Sequence, residues 1–214
     1  MMHTLVGPLL VVVLLFNLFL LGTSRLQAVI NASATQGVIL GVLTLCVHEG
    51  FNGWIVLITI GTILVKGVLI PGMLLRAIRD AAIRREIEPF IGFLPCLLLG
   101  ALGTGASLIF ARTLPLAKEH VGSLLVPAAM ATVWTGFLVL TTRRKAINQV
   151  VGYLVLENGI YIMGLTLLHA MPFMVEMGVL LDLFVGIFVM GIILNHIRRE
   201  FSSLDTAHLS ALKE

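Results

Sequence analysis

Charge is scarce in this chain. Asp, Glu, Lys and Arg make up 12% of its 214 residues, about half the ~25% of a soluble globular domain. With 58% hydrophobic residues and a mean hydropathy of +1.07, a water-soluble fold is excluded. The net charge is only +3, so there is no basic surface for a nucleic acid. Cysteine is nearly absent. Cys46 and Cys96 lie far apart in apolar runs without a CxxC pairing, which excludes a disulfide framework or a thiolate metal site and leaves two small buried side chains. HxxxH and HExxH spacings are missing, as are a nucleophile triad and a phosphate loop, so no catalytic centre and no metal site is expected. The glycine run at 100–105, GALGTG, sits in an apolar stretch with no preceding strand, and a dinucleotide fingerprint needs that strand. The N-terminus lacks the positive region of a signal peptide, so its apolar run reads as a retained span.

What the chain has is long apolar runs. Seven candidate transmembrane helices fall at about 4–23, 28–48, 53–75, 89–111, 123–142, 146–169 and 172–196, each long enough for a bilayer. Segment 76–89, RAIRDAAIRREIEP, reads as an amphipathic surface helix closed by its proline, and 201–214 as a polar tail. Seven spans place eleven cations, from Arg25 through Arg76, Arg79 and Arg143 to Lys213, on one side, and Arg112 and Lys118 on the other. The positive-inside rule then puts the N-terminus outside and the C-terminus in the cytoplasm.

A shift of 119 positions lays Pro8 on Pro127, Arg25 on Arg144, Gly67 on Gly186 and Arg79 on Arg198 without a gap. The fold class expected is therefore an all-α membrane protein with seven transmembrane helices. These form two parallel three-helix repeats joined by a linking helix. The units are 1–80, a degenerate first repeat; 81–118, the cytoplasmic amphipathic segment and helix 4; 119–200, the second repeat; and the tail 201–214.

The few polar groups inside the spans are the candidate site. Glu157 sits midway along a run opened by Arg143, Arg144 and Lys145, near the bilayer midplane, with Tyr153 and Tyr161 one turn away on either side. Asp182 is central in the last run, between Gly178 and Gly186 at four-residue spacing, small residues that let another helix approach. A carboxylate at mid-membrane costs ~2.5–3.5 kcal/mol on insertion scales, so the alternative of a mere packing seam asks stability to bear that cost. Lys66, with Thr59 and Thr62 on its face, either snorkels to the interface or faces a carboxylate. His48, Glu49 and His169 lie at one end of the spans, either simply solvated or forming the mouth of a proton path. Asn17, Asn158 and Asn195 read as interhelical hydrogen-bond partners, and Gly37 and Gly41 as close packing.

The second repeat resembles a known group. Arg143-Arg144, Gly152, Glu157-Asn158, Asp182 with Gly186, and His196-Ile197-Arg198-Arg199 resemble the small K-type subunit of respiratory complex I and the C subunit of multisubunit cation/proton antiporters. The longer chain, with a tail like Ser203-Leu204-Asp205-Thr206, is similar to component E of hydrogenase-4-type membrane [NiFe] hydrogenases. The three-helix family carries one membrane carboxylate on its middle helix and one on its last. Asp182 matches the latter. The middle-helix position falls on Leu154 here, and Glu157 lies one turn further on.

The resemblance implies a multi-pass subunit in the cytoplasmic (inner) membrane of a prokaryote. Glu157, Asp182 and Lys66 would be stations of proton or cation translocation, supported by Tyr153, Tyr161, Asn158, His169, His48 and Glu49. No cofactor would be held by this chain; nickel–iron and iron–sulfur centres would belong to partner subunits. Partners would be antiporter-like and quinone-site-like membrane subunits and a peripheral hydrogenase arm. The alternatives are a subunit of a sodium/proton antiporter and a purely structural membrane anchor.

Overall fold

The computed structural model describes residues 3–47, 53–80, 90–114, 123–143 and 146–167, together with Gly191. Among the described residues the secondary structure is helical: α1 (His3–Gly22), α2 (Leu26–Val47), α3 (Gly53–Thr62), α4 (Ile70–Asp80), α5 (Phe93–Ala111), α6 (Leu125–Thr142) and α7 (Ala146–Leu167). α3 passes into α4 through a π-helical segment, Ile63–Leu69, so that stretch is one continuous rod. Five segments are long and apolar enough to cross a membrane: Leu5–Gly22, Leu26–Val47, Ile55–Arg76, Phe93–Ala111 and Leu125–Thr142. α7, with 22 residues, is as long as α2.

Local chemistry explains the joints. Pro95 and Pro127 fall in the first turns of α5 and α6, where a missing N–H removes no helical bond. Gly92, at φ +80° before α5, occupies a conformation that a side chain would disfavour. Two prolines are exceptions: Pro8 stands inside α1 and Pro71 inside the rod. A helix-interior proline offers no N–H and crowds the carbonyl four residues back. The turns just ahead of Pro71 widen to π geometry, in which the Ile70 N–H bonds the Val65 carbonyl, five residues back.

Pairwise contacts fix the directions. Leu20 packs with Leu26 in one cluster and Leu10 with Leu40 and Leu43 in another, so α2 returns antiparallel along α1, with the side-chain amide of Gln36 bonding the Val13 carbonyl and Asn17. Gly37 faces Lys66, while Gly41 faces Ile63 and Thr59, so α2 and the α3–α4 rod are antiparallel too. Gly136, Gly152 and Gly159 face Leu156, Leu140 and Val133 respectively, which makes α6 and α7 a tight antiparallel hairpin. Asn17 meets Thr132 in mid-helix, and Arg143 meets the last carbonyls of α1. α1 and α6 therefore run parallel, and α2 and α7 must do so as well. α5 crosses the outside of this pair, antiparallel to both, with Gly100 against Leu21 and Gly103 against Trp134.

Buried apolar side chains form two main clusters. One joins Leu26, Val29 and Ile30 to Ile70, Leu74 and Val151; the other joins Leu10, Leu40 and Leu43 to Ala128 and Ile162. Outward faces are also apolar. Leu57, Ile60, Leu64 and Val68 are exposed on the α3–α4 rod, and Leu94, Leu98, Leu102 and Ile109 on α5, a surface suited to hydrocarbon rather than water.

The first six expected runs coincide with helices. The third helix is longer than the expected 53–75: it continues to Asp80 because Ile70, Leu74 and Ile78 keep one buried face at four-residue spacing. Part of the charged segment is thus an extension of that span. The seventh run, residues 81–89 and the polar tail lie outside the described residues. Arg25, Arg76, Arg79 and Arg143 gather at one end of the bundle and Arg112 at the other.

At Gly159 an added Cβ would stand 2.6 Å from the Val133 backbone nitrogen and 2.9 Å from the Ala129 carbonyl oxygen. At Gly61 it would meet nothing within 4 Å. Gly159→Ala is therefore expected to destabilise by about 1–3 kcal/mol through overpacking, while Gly61→Ala is neutral or slightly stabilising through helix propensity. Thermal unfolding of the two purified variants in detergent checks the difference.

Candidate functional site: a buried ion pair between α7 and the π segment

Glu157 lies midway along α7 and Lys66 midway along the span that contains the π segment. Their side chains turn inward and meet. Lys66 Nζ is 2.7 Å from Glu157 Oε1, and the two side chains are only 6% and 2% exposed. Of the two sequence readings of Lys66, the structure takes the one in which it faces a carboxylate. Gly37 allows this arrangement: a Cβ there would stand 2.8 Å from Lys66 Cβ and 3.0 Å from its carbonyl oxygen. The rod can therefore lie directly on α2, which also packs against α7, and the lysine stem spans the remaining distance to Glu157. Widened π turns carry the lysine at the same place.

Pairing decides the energetics. Either charge alone would be expensive at mid-bilayer depth. Together they present no net charge to the surrounding hydrocarbon, and their attraction offsets part of the desolvation that either charge would suffer alone. The ammonium also stands 5.2 Å from the Tyr161 ring centroid, within cation–π range. Tyr161 continues outward, its hydroxyl 2.6 Å from Thr44 Oγ1, and Thr44 donates to the Leu40 carbonyl at 2.9 Å. Thr59 and Thr62 are buried on the same face of the rod as Lys66.

A second polar cluster ties α1, α2 and α6. Asn17 Nδ2 donates to Thr132 Oγ1 at 2.8 Å, and Gln36 Nε2 donates to Asn17 Oδ1 at 2.8 Å, all three side chains being fully buried. At the arginine-bearing end, Arg143 is buried. Its guanidinium donates to the Leu21 carbonyl at 3.1 Å and lies 5.1 Å from the Phe93 ring. It caps the negative C-terminus of α1. Desolvation lowers its pKa and nearby Cys96 pushes the other way; a guanidinium keeps its charge regardless.

The structure thus brings together Glu157, Lys66 and Tyr161 from the sequence candidates. Asn158 is buried beside Glu157 on α7, and Tyr153 lies half-buried one turn away. Asp182, His169, His48, Glu49, Gly178 and Gly186 lie outside the described residues. Three participants had not been singled out: Thr44, Gln36 and Thr132. Gln36 carries a sequence signal, a glutamine inside an apolar run beside a glycine. Thr44 and Thr132 carry none, because threonine satisfies itself on its own helix and recurs throughout these spans.

No family model and no solved structure matches this chain. A relative from Mycobacterium tuberculosis (strain ATCC 25618 / H37Rv), named "Uncharacterized protein Rv0085", is 31% identical over 195 residues, spanning 88% of this chain and 87% of that protein. The chain belongs to that protein's family. A shorter match reaches "Hydrogenase-4 component E" of Escherichia coli (strain K12) and of Shigella flexneri, 32% identical over 78 residues. It covers 36% of this chain and 36% of each of those proteins, so the chain spans about a third of their length.

Removing one member of the pair strands the other. Lys66→Met is expected to destabilise by up to about 3–5 kcal/mol, less whatever protonation of Glu157 recovers, and the double change Lys66→Met with Glu157→Gln to restore most of the loss. A double-mutant cycle on unfolding in mixed micelles reads this as a coupling energy. Additive losses would show that the pair is not an energetic unit.

Proposed function

We propose that this chain is an integral membrane subunit of a complex I-related membrane hydrogenase of the hydrogenase-4 type. In this role it contributes to proton or cation translocation coupled to redox chemistry in partner subunits. The observation that carries this reading is the buried Lys66–Glu157 ion pair. A neutral pair of titratable groups at mid-depth can shed or take up one proton, or exchange one cation, and be reset by its neighbour's charge. A purely structural anchor needs no such pair, since apolar packing would serve it better. The local similarity to hydrogenase-4 component E supports the class of assembly.

Within this reading Glu157 is the proton-exchanging group, Lys66 the cation that tunes it, and Asp182 a further station. The chain holds no redox group. Nickel–iron and iron–sulfur centres belong to a peripheral arm, and antiporter-like and quinone-site-like subunits flank it in the membrane. The arginine-bearing end faces the cytoplasm under the positive-inside rule. The parallel course of the α1–α2 and α6–α7 hairpins supports two repeats, which belong in this reading to a seven-span subunit whose N-terminus is outside.

Glu157→Gln keeps shape and hydrogen bonding but cannot ionise. In inverted membrane vesicles it is expected to abolish proton or sodium uptake driven by the redox reaction, while the complex remains assembled in native gels. Unchanged uptake would discard the role in translocation. Native mass spectrometry of the extracted complex tests the class: nickel and iron–sulfur subunits support the reading, and antiporter subunits alone would replace it with a sodium/proton antiporter.

A further inference from the structure

One helical stripe of the α3–α4 rod changes character at Lys66. Thr59, Thr62, Lys66, Ile70, Leu74 and Ile78 follow one another at three- or four-residue spacing, and all are buried. On one side of the lysine the stripe carries hydroxyls; on the other it carries only aliphatic side chains. Neighbouring helices place hydroxyls on the first side as well, set among Leu40, Leu43, Val47, Ile162 and Leu165. Thr44 of α2 and Tyr161 of α7 share their hydroxyl contact on the same side as Thr59, whose carbonyl oxygen comes near Gly41, one turn from Thr44. On the other side, Leu26, Val29 and Ile30 of α2 and Ile147, Val150, Val151 and Leu154 of α7 join Ile70, Leu74 and Ile78 in one cluster. Ser33 and Asn148 are buried polar side chains toward that end, on α2 and α7 and not on the stripe; Tyr153 is half-buried there.

We propose that the Lys66–Glu157 pair exchanges water and small cations with only one end of the bundle, the end away from the arginines. The route is a hydroxyl column of Thr62, Thr59, Thr44 and Tyr161, and the aliphatic layer closes the other end. A second observation concerns hydration. Among the described residues Thr59 Oγ1 is buried without a hydrogen-bond partner, as is Asn148 Oδ1 on the other side of the pair, and buried polar atoms are ordinarily satisfied by protein or ordered water. A water or a hydrated proton passing along the column supplies Thr59 with that partner. On the sealed side the stripe itself offers no donor or acceptor, and Ser33 and Asn148 stand on other helices, so an ion crossing along the stripe loses its hydrogen bonds to the rod. The inference rests on the reading of the pair as an ion station and adds which membrane face that station serves.

The test reads accessibility, not pumping. Cys46 and Cys96 are replaced by alanine, and Thr59→Cys, Thr62→Cys, Ile70→Cys and Leu74→Cys are made one at a time in the full chain in its native membrane. Thr44→Cys is a second reporter should Thr59→Cys fail to accumulate. Sealed vesicles of each orientation are exposed to Ag⁺, and the remaining thiols are counted after denaturation with a maleimide polymer. A thiol reacts as hydrated thiolate and is inert in apolar surroundings, so Thr59→Cys and Thr62→Cys should react at least about tenfold faster than Ile70→Cys and Leu74→Cys. That reaction should occur only from the face opposite the arginines. Equal rates at Thr59→Cys and Leu74→Cys, no reaction at the threonine positions, or reaction from the arginine-bearing face would each overturn the proposal. Glu157→Gln, scored separately by translocation, fails or succeeds independently. The function can therefore fall while the column stands, and the reverse.

Discussion

Two opposite charges share a buried site deep within the spans, and much of the bundle is arranged so that they can meet. A lysine stem is long, but its ammonium must come within 3 Å of a carboxylate (2.7 Å here) to offset the loss of hydration on both. That distance sets how closely α2, α7 and the α3–α4 rod must lie. Gly37 removes the side chain that would hold the rod off α2, and the widened turns ahead of Pro71 carry the lysine at the point of contact. The surrounding apolar clusters supply packing, and the glycine contact lets the backbone at Lys66 lie directly against α2.

The same logic runs through the other interfaces. Inside a bilayer apolar side chains gain nothing by leaving lipid for protein, so close backbone approach and hydrogen bonds between helices must hold them together. The α6–α7 hairpin uses three glycines along one seam. The α1–α2–α6 junction uses the Asn17–Gln36–Thr132 bonds. Arg143 closes the arginine-bearing end by capping α1 and lying on Phe93 of α5. A residue counted in the sequence as a topological signal is in fact a buried clasp, because the carbonyls that end α1 need donors and a guanidinium supplies several in a plane. Exposed aliphatic faces on α5 and on the rod leave room for lipid or neighbouring subunits on the outside, and the polar chemistry is confined within.

How much of this could be read from the chain alone follows from the range of the forces involved. Membrane helices are local objects: every backbone group is satisfied within the segment, so apolar run length placed the first six of them. It did not place the end of the third, because the cost of carrying Arg76 and Arg79 on an extended helix depends on whether Ile70, Leu74 and Ile78 find a partner face. Lys66 and Glu157 were legible as misfits, since a charge in an apolar run is visible without coordinates. Their meeting was not, because nothing in the periodicity of either run specifies the rotation of one helix against the other. Thr44, Gln36 and Thr132 matter only through where their partners stand.

The sequence by itself determined that this chain is helical, that it belongs in a membrane and which residues are out of place there, because hydropathy and helix periodicity are properties of each segment alone. Only the tertiary structure decided that the lysine faces the glutamate instead of the interface. It alone decided that the two hairpins run parallel, and that the buried stripe of the rod carries hydroxyls on one side of the lysine and aliphatic side chains on the other. Those are relations between helices, fixed by glycine contacts and interhelical hydrogen bonds that no single segment contains.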